Sequence, residues 1–294
     1  MSPSARAREL VRGAFDLHVH VAPDVVERRI DDVSLAHRFR DLGLAGFCLK
    51  SHYTSTAERA RVVSAVVPEV QALGAIALNR AVGGLNPLAV EIAAREGARI
   101  VWLPTVDSLD EARQLELKPG ATPPVWAQLQ VELRERGLVI EPVALDGSLD
   151  AVLASVAAHG LVLATGHIGR DDVFRVVDAA REVGIEHVVI THPDYPAQDF
   201  SADEQVELAR RGAWIERCFT TPHTGKVSWE QWLESTRAVG AERCFISSDL
   251  GQVANPPVED GLALLADRLL DGGFTDEEVH TMAVTNTRRI AGVA

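Results

Sequence analysis

Aromatic residues make up only 5% of this 294-residue chain, which also has just three cysteines and two methionines. The few large rings available to wall an apolar pocket are Tyr53, Trp102, Trp126, Trp214, Phe219, Trp229 and Trp232. The cysteine count is odd, and Cys48, Cys218 and Cys244 all lie within or at the end of apolar runs. That pattern excludes a disulfide framework and predicts reduced, buried thiols of a cytoplasmic protein. Lysine and arginine (29) are outnumbered by aspartate and glutamate (42), and the net charge of −13 opposes nonspecific binding to nucleic acid or an acidic membrane. No run approaches the roughly 20 apolar residues of a membrane span, and Met1–Arg8 has no apolar core of a signal peptide. The remainder, 47% hydrophobic and 24% charged, suits a globular chain that buries a large core.

Histidines supply the strongest pattern. Four apolar runs finish in them: Phe15–His20, which ends His18-Val19-His20; Gly46–His52, which ends Lys50-Ser51-His52; Leu161–His167; and His187–His192. A fifth run, Cys244–Asp249, finishes in aspartate. Side chains two apart on a strand share a face, so His18 projects with His20 and Lys50 with His52. Imidazoles and a carboxylate gathered at the ends of parallel strands are what a divalent transition metal requires.

Spacing of these endings predicts the fold. His20, His52, Asn79, Thr105, His167, His192, Cys218 and Asp249 each close an apolar run. They recur about every 30 residues, the size of one βαβ repeat, except for a Thr105–His167 interval about twice as long. Eight such units predict an α/β protein: a single (β/α)8 TIM barrel over residues 1–294, with an insertion between strands 4 and 5. Chemistry in such barrels sits at the C-terminal strand ends, where these residues fall. Asn86-Pro87 and the patterns Ser201-x-x-Glu204 and Thr275-x-x-Glu278 predict helix starts, and Gly97 predicts a helix end. The insertion, Asp107–Asp146, contains the loop-like Lys118–Pro124 and the apolar Leu138–Val143. It is expected to carry a short strand or hairpin over the barrel mouth.

His18, His20, His167, His192 and Asp249 are therefore expected metal ligands, with one or two ions of Zn, Mn or Fe per chain. His52 is a ligand, a second-layer donor or a substrate contact. A free ammonium at Lys50 would be repelled by a cation. Lys50 is accordingly carboxylated to a carbamate, neutral through a lowered pKa, or turned away to bind an anion. Substrate contacts are expected from Asn79, Arg80, Thr105, Asp107, Glu216, His223 and Lys226. His37, His159, His187 and His280 fall within helices or at strand starts and read as structural.

His18-x-His20 on the first strand, His167 on the fifth, His192 on the sixth and Asp249 on the eighth resemble the amidohydrolase superfamily of metal-dependent hydrolases. Asn286–Gly292 resembles the helix start that follows the last strand in that superfamily. Together with the charge and cysteine usage above, the expectation is a cytoplasmic homo-oligomer acting on a small molecule, with no nucleic acid or membrane partner. The resemblance implies a binuclear, zinc-type centre in which the paired histidines and Asp249 hold one ion while His167 and His192 hold the other. Hydrolysis of an amide, lactone, ester or thioester follows, with Asp249 as proton shuttle. The family's bridging carbamylated lysine or glutamate on strand four is missing from Val101–Thr105, and Lys50 is the candidate replacement. Strand two, with Lys50-Ser51-His52, is also similar to the polymerase-and-histidinol-phosphatase metallophosphoesterases. Those have seven strands, a trinuclear site and a glutamate where this chain has Asn79. A non-hydrolytic barrel, either a decarboxylase or a metal-binding protein, is the remaining alternative.

Overall fold

A computed structural model describes residues 2–116, 125–138, 140–145 and 147–293. Eight parallel strands follow one another around a barrel in chain order: β1 (Phe15–Val19), β2 (Gly46–Leu49), β3 (Gln71–Ala77), β4 (Ala98–Trp102), β5 (Val162–Ala164), β6 (Val188–Ile190), β7 (Trp214–Cys218) and β8 (Cys244–Ser247). Seven consecutive pairs share strand ladders. The ring closes between the end of β1 and the segment after β8. There Asp249 N donates to His18 O (2.8 Å) and His20 N donates to Leu250 O (2.8 Å). Eight strands match the predicted (β/α)8 barrel and not the seven of the metallophosphoesterase alternative.

Two apolar clusters follow from the strands' two faces. Phe15, Leu17, Cys48, Leu73, Ile100, Trp102, Trp214 and Phe245 fill the barrel interior, and Ile290 of the C-terminal helix packs against them. The alternate strand positions, such as Val19, Phe47, Leu49, Leu163 and Ile190, face the surrounding helices. Near-continuous apolar strands are thus buried on both faces, as parallel sheets require. Fully burying side chains of this size is worth about 1.5–3 kcal/mol each.

The expected helix signals operate. Asn86 caps Pro87–Glu96 through Leu88 N and Ala89 N, and Gly97 ends that helix in left-handed backbone. Ser201 with Glu204, and Thr275 with Glu278, form complete capping boxes. The insertion differs from expectation, because its described residues form helices Leu109–Glu116 and Val125–Glu135. Both segments are rich in Leu, Glu, Gln and Arg, which are strong helix formers. The expected strand reduces to one bridge, Ser108 to Val143, with Pro142 unable to donate to a longer ladder. The predicted Lys118–Pro124 loop lies outside the described residues.

Candidate metal centre

His18 and Glu216 lie on β1 and β7, whereas most of the other key residues lie just beyond the hydrogen-bonded strands. His20 and Lys50 are the first residues after β1 and β2; His52, Thr105 and His167 lie three residues beyond their strands. Local devices aim them inward. In β1 the register shifts between Asp16 and Val19, and Asp16 Oδ1 accepts from His18 N (3.3 Å) and Ser248 N (3.0 Å). One buried carboxylate therefore ties the first histidine pair to the segment bearing Asp249, and burial pushes its pKa up to about 7. Thr165 and Thr191 exchange bonds across β5 and β6, with Gly166 N donating to Thr191 Oγ1 and Thr191 N to Thr165 Oγ1. Gly166 (φ 61°) must be glycine, since a Cβ would lie 2.3 Å from Leu103 O. His192 (φ 26°) and Asp249 (φ 52°) themselves adopt left-handed backbone, a strain that clusters at functional sites.

Five imidazoles form a closed ring. Centroid separations are 5.3 Å for His18–His20, 4.9 Å for His20–His52 and 6.4 Å for His52–His167. The circuit continues with 4.9 Å for His167–His192 and 6.0 Å for His192–His18. Asp249 Oδ1 lies 3.2 Å from both His18 Nε2 and His20 Nε2, and Thr220 Oγ1 donates to Asp249 Oδ2 (2.6 Å). Lys50 Nζ is 2.9 Å from His18 Nε2 and 5.1 Å from the Trp102 ring centre.

Behind this ring stands a layer of orienting groups. Glu216 Oε1 is 3.0 Å from His18 Nδ1 and accepts from Ser247 Oγ (2.9 Å), while Oε2 accepts from His192 N (3.1 Å). His52 Nδ1 meets Thr105 Oγ1 (2.9 Å), which accepts from Asn79 Nδ2 (2.7 Å). Asn79 Oδ1 in turn accepts from Thr105 N and Asp107 N. Glu111, in the insertion helix Leu109–Glu116, reaches within 3.2 Å of His167 Nδ1. The carboxylate and hydroxyl at the far nitrogens of His18 and His52 fix tautomers that leave Nε2 for the centre.

Electrostatics favour the ligand form of the histidines. Burial, helped by the Arg28 charge, lowers His20 to about 3, and burial holds His52, His167 and His192 well below the usual imidazole range. Burial also opposes charge on His18, but Glu216 and Asp249 outweigh it and raise that pKa. Glu216 is buried too, yet His18 draws its pKa down to about 2. Lys50 is lowered by burial against the pull of Asp249 and Glu216.

The residues present fit a transition-metal ion. Nitrogen and carboxylate donors of His18, His20 and Asp249 lie within 4.8 Å of one another. The buried Nδ1 atoms of His20, His167 and His192 have no hydrogen-bond partner among the described residues. A second trio, His18, Glu216 and Cys218, is also compact. It uses the other nitrogen of His18, its carboxylate is already engaged, and burial holds the Cys218 thiol well above its usual pKa.

A cleft of about 200 Å³ opens onto the ring. His20, Lys50, His52, His167, His192 and Asp249 form its floor, with Arg28, Tyr195, Thr220, Lys226, Gln252 and Asn255 around them. Asn79, Thr105 and Glu216 are buried behind the histidines, and His223 is exposed and stacks on Phe219 at 4.7 Å. None of these four lines the cleft. The expected aromatic wall is not found among the described residues. Trp102 and Trp214 fill the barrel interior, Trp232 is buried among the outer helices, and the side chain of Trp126 lies outside the described set. Tyr195, three residues after His192, is the one phenol at the cleft, and sequence reasoning missed it together with Glu111 and Arg28. Glu111 was half visible as the end of Ser108-x-x-Glu111, a capping pattern whose carboxylate here lies 3.2 Å from His167 Nδ1. The other four histidines stand apart from the centre, as expected; His159 pairs with Glu91 (2.6 Å) and His187 accepts from Trp214 Nε1.

Fold and strand-end geometry together define a (β/α)8 barrel with a histidine-rich centre at the C-terminal ends of its strands. Solved structures share the fold over nearly the whole chain. An amidohydrolase from Pseudomonas aeruginosa has a TM-score of 0.63 at 13% identity, covering 99% of this chain and 100% of that one. A protein from Pseudomonas putida described as a putative 2-pyrone-4,6-dicarboxylic acid hydrolase gives 0.58 at 16%, covering 95% and 97%. An organophosphorus hydrolase from Deinococcus radiodurans gives 0.57 at 18%, covering 99% and 96%. No curated protein matches the sequence. Residues 13–216, more than half of the chain, match the family of unknown function DUF6282, and the chain belongs to that family. Among the described residues, no helix is long and apolar enough to cross a membrane.

Proposed function

We propose that the protein is a metal-dependent hydrolase that activates water for attack on the carbonyl of an amide, lactone, ester or thioester. The observation that carries this reading is the closed ring of five buried imidazoles with Asp249 Oδ1 between two of them. His18, His20 and Asp249 would hold one divalent ion, and His167 and His192, joined by His52, would serve a second. Zn, Mn and Fe all suit such donors. An ion bound there supplies Lewis acidity toward water and the substrate carbonyl.

The chain's own groups do the rest. Asp249 takes a proton from the attacking water at its carboxylate and delivers it to the leaving group. Thr220 holds Oδ2 of that carboxylate in place by a 2.6 Å bond, leaving Oδ1 toward His18 and His20. Glu216, Asn79 with Thr105, and Glu111 act as orienting groups for His18, His52 and His167. Lys50 would supply an anionic ligand as a carbamate, formed when its neutral amine adds carbon dioxide, gains an N–C bond and releases a proton. Burial, which lowers its pKa, supplies that neutral amine.

Elemental analysis of the purified and metal-reconstituted protein, followed by assay against a panel of amides, lactones, esters and thioesters, tests the reading. The expected result is one or two transition-metal ions per chain and turnover of one class. Absence of metal uptake would overturn it, as would tight metal with no hydrolysis of any class.

A further inference from the structure

Arg28 is the residue that neither the ring nor its orienting layer uses. It lies in the connection between β1 and the helix Asp32–Leu42, and its backbone bridges to Gln252 beyond β8. That connection is braced at both ends by Ala22 N to Ile30 O (2.9 Å) and Asp32 N to Ala22 O (3.0 Å). The Arg28 side chain is only 6% exposed and lines the cleft. Its Nε donates to Asp24 Oδ2 at 2.7 Å, and Asp24 is held in turn by Val25 N. Among the described residues, the two terminal nitrogens of Arg28 donate to nothing. A guanidinium fixed through one edge, its terminal nitrogens turned to the cleft without a partner among the described residues, is built for a partner that is not part of the chain.

The surroundings say which partner. Arg28 sits near enough to oppose protonation of His20 and His52, so its charge bears on the ring itself. Lys226 lines the cleft near His167, with its Nζ 4.2 Å from the Tyr195 ring centre. Asp249 is the one carboxylate among the cleft-lining residues, against the cations Arg28 and Lys226. A chain of net charge −13 thus presents a cationic cleft, which concentrates anions there and repels them elsewhere. Two terminal N–H groups on one planar fork match the two oxygens of a carboxylate.

We propose that the substrate carries a carboxylate near its scissile carbonyl, received by the terminal nitrogens of Arg28 with Lys226 as the second cationic contact. The scissile carbonyl rests on the hydrolase reading above; the carboxylate seat does not. A seat for this group makes the substrate a small carboxylic acid that contains a lactone, amide or ester, within the roughly 200 Å³ the cleft provides.

Titration calorimetry of the metal-loaded protein with glutarate and with its uncharged analogue glutaramide tests the seat without turnover. Glutarate should bind at least about tenfold tighter, the advantage of charge-assisted bonds, and added salt should narrow the gap. Arg28→Met should abolish that preference while metal content stays unchanged. Arg28→Met also strands the buried Asp24 carboxylate, so Arg28→Lys, which retains the charge but not the fork, is measured beside it and should lose most of the preference. Equal or undetectable binding of the two probes by the wild type overturns the proposal, and so does wild-type glutarate affinity in Arg28→Lys. A protein that binds glutarate through Arg28 but hydrolyses nothing would refute the hydrolase reading and leave the carboxylate seat standing.

Discussion

Replacing Glu216 with glutamine changes one buried atom, and the structure gives the outcome. The carboxylate is an acceptor at both oxygens: Oε1 serves His18 Nδ1 and Ser247 Oγ, and Oε2 serves the backbone N–H of His192. Glutamine can satisfy only one side. With its carbonyl toward His18, its amide NH2 faces the His192 N–H, two donors meet, and the buried unsatisfied group costs about 1–3 kcal/mol of folding stability. With its NH2 toward His18, Nδ1 must accept, so the proton moves to Nε2, the nitrogen that faces Asp249. That tautomer no longer offers a lone pair to a metal. Either orientation should weaken metal binding by about 10- to 100-fold, as loss of a carboxylate behind a ligating histidine does. Competition against a chromophoric chelator measures the affinity, and thermal melts of chelator-treated protein measure the stability. A Glu216→Gln dissociation constant within about twofold of wild type, with an unchanged melt, would refute the assignment of Glu216 as the group that sets the His18 tautomer.

Three further outcomes are expected. Asp249→Asn should keep the circular dichroism spectrum but lower turnover by about 10²–10⁴-fold on whichever substrate class the panel identifies; near-full activity would remove Asp249 as the shuttle. Lys50→Ala should bind one metal ion fewer, with partial recovery when a short carboxylic acid is supplied. Full metal content in that variant, with only the Michaelis constant altered, would show an unmodified lysine holding substrate. Metal-stripped protein should lose stability as pH falls below 6.5. His20 (down to about 3), His52, His167 and His192 are held neutral by burial in the folded state but gain protons at about 6.5 when unfolded, so the unfolded state binds more protons and acid favours it. Melting temperatures of the stripped protein that stay flat from pH 7 to about 5 would contradict this.

The barrel and its five histidines were legible because both are periodic. A strand-and-helix repeat returns a residue to the same rim every 30 or so positions, so regular spacing reports neighbourhood in space. The alternation argument for Lys50 and His52 reached the right place by an incomplete route. β2 stops at Leu49, and both residues sit on the turn beyond it. Asn79 and Thr105 were visible as strand-end polar residues and Glu216 as a charge within an apolar strand, but their position behind the ring depends on side-chain direction, which spacing does not encode. Glu111 and Arg28 lie in connections whose path is set by tertiary contacts, so no periodic signal marks them. The insertion was misread as a strand because the apolar Leu138–Val143 stood out more than the helix-forming segments before it.

The seam of the barrel has a consequence for how the protein is made. His18 and His20 are bonded through their own backbones to Asp249 and Leu250, so the ring shuts at the same spot where the candidate ligands assemble. On the ribosome these partners emerge roughly 230 residues apart, which at ordinary elongation rates is a delay on the order of ten seconds or more. For all of that time the amino-terminal histidines are present without the aspartate and without the shape that aims them. In the proposed metal-dependent reading, uptake by His18, His20 and Asp249 belongs to the period after the eighth strand has left the exit tunnel. In a timed cell-free translation, metal-dependent protease resistance should appear only in chains extending past Leu250; resistance in nascent chains that stop before β8 would contradict that order.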